Sequence, residues 1–137
     1  MKLQSLIQPQ DIEVFYIMPT LRKELALELK RSGLNQNKIA DLLHIKKSTV
    51  SQYINNKRGS KVSFSNNIKK EISSSAHEIH DTLTLIRETQ KILRSIRHSG
   101  ELCRIHKQLS DIPGECNPEL VNCFGGEENV WSNVHFW

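Results

Sequence analysis

The chain has 137 residues, of which 37% are hydrophobic and 25% are charged, and its formal net charge is +4 at pH 7. This length suits one small domain with an added element and leaves little room for a large catalytic core. No apolar run approaches the ~20 residues needed to cross a bilayer, and the polar N-terminus lacks the apolar core of a secretion signal. We therefore expect a cytoplasmic protein.

The first predicted helix is short and amphipathic. Leu21, Leu25 and Leu29 recur at helical spacing, so that one face of the helix is apolar. Pro19 suits the start of this helix, and Gly33 suits its end.

Two further short helices follow, separated by a tight connection. Asn35 can accept a hydrogen bond from a free amide at the start of the first, and the small Ala40 lets the two helices approach closely. Val50 and Tyr53 turn inward from the second helix. Residues 55–59 are typical of its exit.

Short polar side chains remain on the outer face of the third helix once its apolar side chains point inward. An amide can pair with adenine in the major groove, Ser and Thr are permissive there, and a local excess of cations supplies phosphate affinity. This pattern predicts sequence-specific binding to double-stranded DNA. The predicted contacts are Gln36, Lys46, Lys47, Ser48, Thr49, Ser51, Gln52, Lys57 and Arg58.

The segment from Asn35 to Gly59 resembles the helix-turn-helix of the XRE, or lambda-repressor-like, family of transcriptional regulators. In that family a Gln opens the second helix, an Ala packs within it, and Ser-Thr-Val-Ser leads the recognition helix. Here these are Gln36, Ala40 and residues 48–51. Many relatives carry Gly in the turn where this chain has His44, which predicts either a left-handed backbone or a rearranged turn.

A wider resemblance extends along the chain. Archaeal-type XRE regulators begin with an apolar-Pro-apolar-Arg segment and end in a cysteine-containing tail, and residues 17–22 and those around Cys103 are similar to these. The resemblance implies a DNA-binding regulator. We do not expect an enzyme, because the sequence contains no Gly-rich phosphate loop and no nucleophile-base signature.

Beyond Ser65, a predicted N-cap, the apolar pattern lengthens into a predicted long helix. Every seventh residue from Ile72 to Leu93 is apolar, as in a helical seam. Such a stripe must be covered, either by the first three helices of a monomer or by a second subunit. We expect a homodimer on an inverted-repeat operator, formed through Ile72, Ile79, Leu83, Ile86 and Leu93.

The tail carries three cysteines and a histidine with the spacing of a ligand set. Cys103 and His106 form a C-x2-H pair, and Cys116 and Cys123 follow. We expect an iron-sulfur cluster that senses redox state or iron, because thiolates favour such clusters and an imidazole can replace one thiolate. Structural zinc, a metal-free thiol switch and simple buried cysteines are the alternatives. The aromatic residues within 130–137 could cover this site.

These elements together predict an all-α fold, a helix-turn-helix bundle followed by a long dimerisation helix and a small Cys/His metal-binding tail. The predicted organisation is an entry segment (1–20), a helix-turn-helix DNA-binding domain (21–72), a long amphipathic dimerisation helix (73–99) and a sensor or metal-binding tail (100–137). The leading function is a homodimeric transcriptional regulator. An antitoxin or protein-protein interaction module is the alternative from another class.

Overall fold

The computed structural model describes residues 8–123, and every regular element in that range is helical. This confirms the predicted all-α class. The elements are α1 (Pro9–Ile12), a π-helical segment (Glu13–Ile17), α2 (Met18–Arg31), α3 (Gln36–Leu43), α4 (Lys47–Ile54), α5 (Asn66–Ala76), α6 (Thr82–His98) and α7 (Glu101–Leu109). None of these helices is long and apolar enough to cross a membrane.

The N-terminal helix starts ten residues before the position predicted from Pro19. The backbone remains helical from Pro9 to Arg31, and the π-helical segment Glu13–Ile17 interrupts the α-helical spacing in the middle. Proline lacks an amide hydrogen, and its ring clashes with the carbonyl four residues earlier, here that of Phe15. The wider turn accommodates this conflict, so Pro19 lies in the first turn of α2, as predicted, although the helical backbone already runs through the residues before it.

The predicted apolar face of α2 is confirmed and forms the centre of the fold. Leu21, Leu25 and Ala26 are at most 1% exposed and Leu29 is 3% exposed. This face packs against α3, α4 and α5, and the buried apolar side chains form one core. The helix ends near Gly33, as predicted, where the backbone becomes left-handed.

The predicted Asn35 cap is confirmed, and of the two alternatives predicted for the turn at His44 the structure shows the left-handed backbone. The Asn35 side chain accepts a hydrogen bond from the amide of Lys38 at 2.9 Å. His44 adopts a left-handed backbone (φ 54°, ψ 44°), so this histidine takes the conformation that glycine would take more cheaply. Val50 and Tyr53 of α4 are buried.

The predicted long helix over residues 73–99 is wrong in its first part. Residues 73–76 complete α5, residues 77–81 are not helical, and α6 begins at Thr82. The cause is local hydrogen bonding: Asp81 is extended and accepts from the Thr84 amide, while the Thr84 hydroxyl accepts from the Asp81 amide. This reciprocal cap starts a new helix.

The interruption also divides the predicted seven-residue stripe. Ile72, Ile79 and Leu93 are at most 5% exposed because they are buried within the chain itself. Leu83 and Ile86 are not part of that core and are 77% and 53% exposed. The five residues predicted for a dimer seam therefore do not form one surface.

An ionic cluster holds α7 against the segment that leads into α5. Glu101 is 5% exposed, and its carboxylate accepts from the Ser65 amide at 2.9 Å and from Nε of Arg104 at 2.7 Å. Arg104 also donates to the Ser63 carbonyl at 3.0 Å. Burial raises the pKa of the Glu101 carboxyl, but the hydrogen bonds from Ser65 and the Arg104 guanidinium outweigh it and leave the pKa below its ordinary value.

We predict that Glu101→Gln lowers the free energy of unfolding at pH 7 by about 1–3 kcal/mol, because buried donors lose a charged acceptor. The folded-state pKa is lowered, so the ionised carboxylate stabilises the fold above its unfolded pKa and loses that effect as the pH falls through the folded value. Urea titrations should therefore show the difference from wild type shrinking in acid. Glu119→Gln, at an exposed carboxylate, is the control, and an equal loss in both variants would contradict the prediction.

Gly59 packs directly against α2. Its backbone is left-handed (φ +71°), and a Cβ atom there would lie 2.8 Å from the Pro19 carbonyl oxygen and 3.0 Å from the Lys23 Cβ. Gly33 has a similar positive φ (+99°), but a Cβ at that position would meet nothing within 4 Å. Substitution of alanine at the two positions therefore distinguishes the cost of backbone strain from the cost of close packing.

We predict that Gly33→Ala lowers the free energy of unfolding by about 1–2 kcal/mol, because a residue with a Cβ is placed in the left-handed backbone conformation. Gly59→Ala should cost at least about 1 kcal/mol more, because the backbone of α2 must also move. Chemical denaturation of both variants measures the difference. Equal losses would show that the close approach of residue 59 to α2 does not contribute.

Candidate functional site

The outward face of α4 carries the polar side chains predicted to contact DNA. Val50 and Tyr53 fix the rotation of the helix by packing inward, which leaves Ser48 and Gln52 exposed and Thr49 half-buried. Ser51 is also half-buried, at the edge of this face. The predicted orientation of α4 is therefore confirmed.

The loop after α4 returns over the same face. Nη1 of Arg58 lies 3.4 Å from both Thr49 Oγ1 and Gln52 Oε1, close enough to donate to either. Asn55 donates from its side-chain amide to Ser51 Oγ at 3.3 Å. Arg58 was predicted only as a phosphate contact, whereas its guanidinium actually lies beside two of the predicted base contacts.

Two left-handed residues and one contact from α2 place this loop. Asn56 (φ 58°) and Gly59 (φ 71°) turn the chain, and Nζ of Lys23 in α2 donates to the side chain of Asn56. The position of Arg58 thus depends on α2 as well as on its own loop. Helical periodicity stops at Ile54, so no sequence pattern could locate this guanidinium.

The cationic side chains surround this face without forming part of the core. All four are exposed: Lys46, Lys47, Lys57 and Arg58. Lys46 and Lys47 lie at the N-terminal end of α4, where the helix dipole adds positive potential, and Lys57 lies beyond the other end. Gln36 is the half-buried first residue of α3, away from the contacts made by Arg58.

The tail brings the predicted ligand residues to a separate cavity of about 460 Å³. Cys103 and His106 are three residues apart on α7 and therefore project from one side of that helix. Two turns carry the others, since the amide of Cys116 donates to the Pro113 carbonyl at 3.0 Å and that of Cys123 to Pro118 at 2.8 Å. All four side chains line the cavity.

The three thiols are free, but they are not gathered closely around one point. Burial raises the pKa of the Cys123 thiol, and the neighbouring Cys103 and Cys116 raise it further. Among residues 8–123, no three His, Cys, Asp or Glu side chains are grouped closely enough to hold a metal ion. The four predicted ligand residues line a common cavity but do not form a compact coordination sphere, and the metal site itself stays a prediction. The aromatic residues of the C-terminus, 130–137, lie outside the described range.

Comparison of this chain with known protein families, with curated proteins and with solved structures found no match.

Proposed function

We propose that this protein is a sequence-specific DNA-binding transcriptional regulator that reads the major groove with α4. The observation that carries the proposal is the outward face of α4, where exposed polar side chains and the Arg58 guanidinium lie together between exposed cations. An α-helix fits the major groove of B-DNA. In this reading α3, the turn at His44 and α4 constitute a helix-turn-helix.

The chemistry of this face suits recognition of base edges. The Gln52 amide can bond adenine through both its donor and its acceptor, and an Arg can bond guanine through two donors. Arg58 lies 3.4 Å from the Gln52 oxygen, so the two side chains can read adjacent bases or orient each other. Ser48 and Thr49 present hydroxyl groups, and the Thr49 methyl can meet the methyl group of thymine.

The cations supply affinity that does not depend on the base sequence. Each phosphate neutralised by Lys or Arg releases counterions, which makes binding depend on salt. Lys46 and Lys47 would contact the backbone at one end of α4, and Lys57 at the other. They would fix the register of the helix in the groove.

We further propose that the regulator binds its operator as a homodimer, as such motifs usually do, with half-sites about 34 Å apart. The interface cannot be the whole predicted seam, because Ile72, Ile79 and Leu93 are already buried. Leu83 and Ile86 on α6 are the predicted seam residues that remain exposed. A dimer interface on the predicted seam would therefore use these two residues.

The proposal predicts that Gln52→Ala weakens binding to the preferred sequence by about tenfold, since one bidentate base contact is worth about 1–3 kcal/mol. The preferred sequence is first selected from a random duplex library with the wild-type protein. Fluorescence anisotropy then compares that duplex with a scrambled one. Gln10→Ala, at an exposed position of α1, is the matched control, and unchanged sequence preference in Gln52→Ala would count against recognition by α4.

Lys57→Ala should weaken binding to the selected and the scrambled duplex alike, because a phosphate contact carries no sequence information. The slope of log K against log salt should fall by about one. Lys107→Ala, at an exposed position on α7, serves as the control and should leave the slope unchanged. A change of sequence preference in Lys57→Ala would assign this lysine to base reading.

A further inference from the structure

The cavity beside α7 joins two segments that are separate in sequence. Cys103 and His106 come from a helix, and Cys116 and Cys123 come from the loop that follows. The helix is held in place by Glu101 and Arg104, and each loop cysteine is set by its own backbone turn. Four soft or borderline ligands therefore surround one space with no covalent link among them.

The requirements of a single metal ion can be compared with the arrangement of these residues. A single zinc ion needs its donors at about 2.0–2.3 Å in a tetrahedron, so that neighbouring donor atoms lie less than about 4 Å apart. No three candidate donors within the described residues are grouped in that way. A cavity of about 460 Å³ is also much larger than one ion requires.

We propose that the cavity binds an iron-sulfur cluster through the thiolates of Cys103, Cys116 and Cys123 and the imidazole of His106. In such a cluster different iron atoms take different ligands, so the donors lie around a larger volume than around a single ion. Three thiolates with one imidazole are a set that iron-sulfur chemistry accepts. Binding releases three thiol protons, because cysteine coordinates as thiolate and histidine coordinates in its neutral form.

The apolar side chains that line the cavity also suit a bound cluster. Leu102 and Ile112 line it together with prolines of α1 and the loop. Leu120 and Val121 also line it, although they are 65% and 49% exposed. Large apolar side chains at such a rim would exclude water from a bound cluster and so influence its potential.

This proposal goes beyond DNA recognition and does not depend on it, since the cavity and α4 share no residue. The test uses no DNA, so its failure is distinguishable from failure of the proposed function. The full chain is incubated anaerobically with ferric iron, sulfide and a thiol, which reduces part of the iron to the ferrous state, and is then desalted. We expect broad visible absorbance and about two or four iron atoms per chain, with equal sulfide.

Variants identify the ligands. Cys116→Ser and Cys123→Ser should each retain at least tenfold less iron and sulfide than wild type. His106→Ala should destabilise the cluster, whereas His106→Cys should retain it because a thiolate replaces the imidazole. His98→Ala, at an exposed histidine outside the cavity, is the matched control and should bind the cluster as wild type does.

Circular dichroism shows whether each variant folds. A second measurement tests the ligand assignment even if one of the variants does not fold. Pulsed electron paramagnetic resonance of the reduced wild-type protein should show coupling to an imidazole nitrogen, and this coupling should be absent from His106→Cys. The proposal would be overturned if the protein took up no iron and sulfide, or if a parallel incubation with zinc gave one bound zinc ion per chain while iron and sulfide were not retained. A cluster retained in both Cys116→Ser and Cys123→Ser would also overturn the proposal.

Discussion

The burial of one face of α2 is the contact on which the other elements depend. Leu21, Leu25 and Leu29 project from it into the space between α3, α4 and α5. Each fully buried side chain of this kind contributes about 1.5–3 kcal/mol relative to exposure, whereas an exposed ion pair such as Arg31–Glu28 contributes less than about 1 kcal/mol. Apolar packing on α2 therefore sets where α4 lies.

The same helix connects the two candidate sites. Its N-terminal extension begins at Pro9, which lines the cysteine cavity, and its first α-helical turns contact the loop that holds Arg58. Between these ends, Glu13 in the π-helical segment pairs with Arg97 of α6 at 3.0 Å. A displacement at the cavity would thus reach α4 through one continuous helix. This contact path makes coupling between the sites physically possible, but coupling itself requires two states with different energies.

The two sites have different mechanical supports. The face of α4 belongs to a helix fixed by buried Val50 and Tyr53, so its polar side chains start from a rigid backbone. The cavity has one rigid wall, α7, and one made by the turns of the loop up to Cys123. A bound group would join these walls, because it would replace separate local turns with a common anchor.

Several features could be predicted from sequence because their causes are local. The buried face of α2, the Asn35 cap and the outward face of α4 each follow from spacing or side-chain chemistry within a few residues. The prediction of one long helix from the seven-residue apolar repeat was wrong, because the capping pair Asp81 and Thr84 starts a new helix within it. That pair is also local, and an Asp three residues before a Thr was the available signal.

Tertiary structure alone decided the features that join distant segments. Residues 77–81 let α6 turn against α5, and this buries Ile72 and Ile79 within the chain and exposes Leu83 and Ile86. Packing of residue 59 on α2 carries Arg58 back over α4, and the turns after α7 bring Cys116 and Cys123 to the cavity of Cys103. Sequence spacing specifies which residues can share a helical face. It does not specify which faces meet, because that depends on the packing of the whole chain.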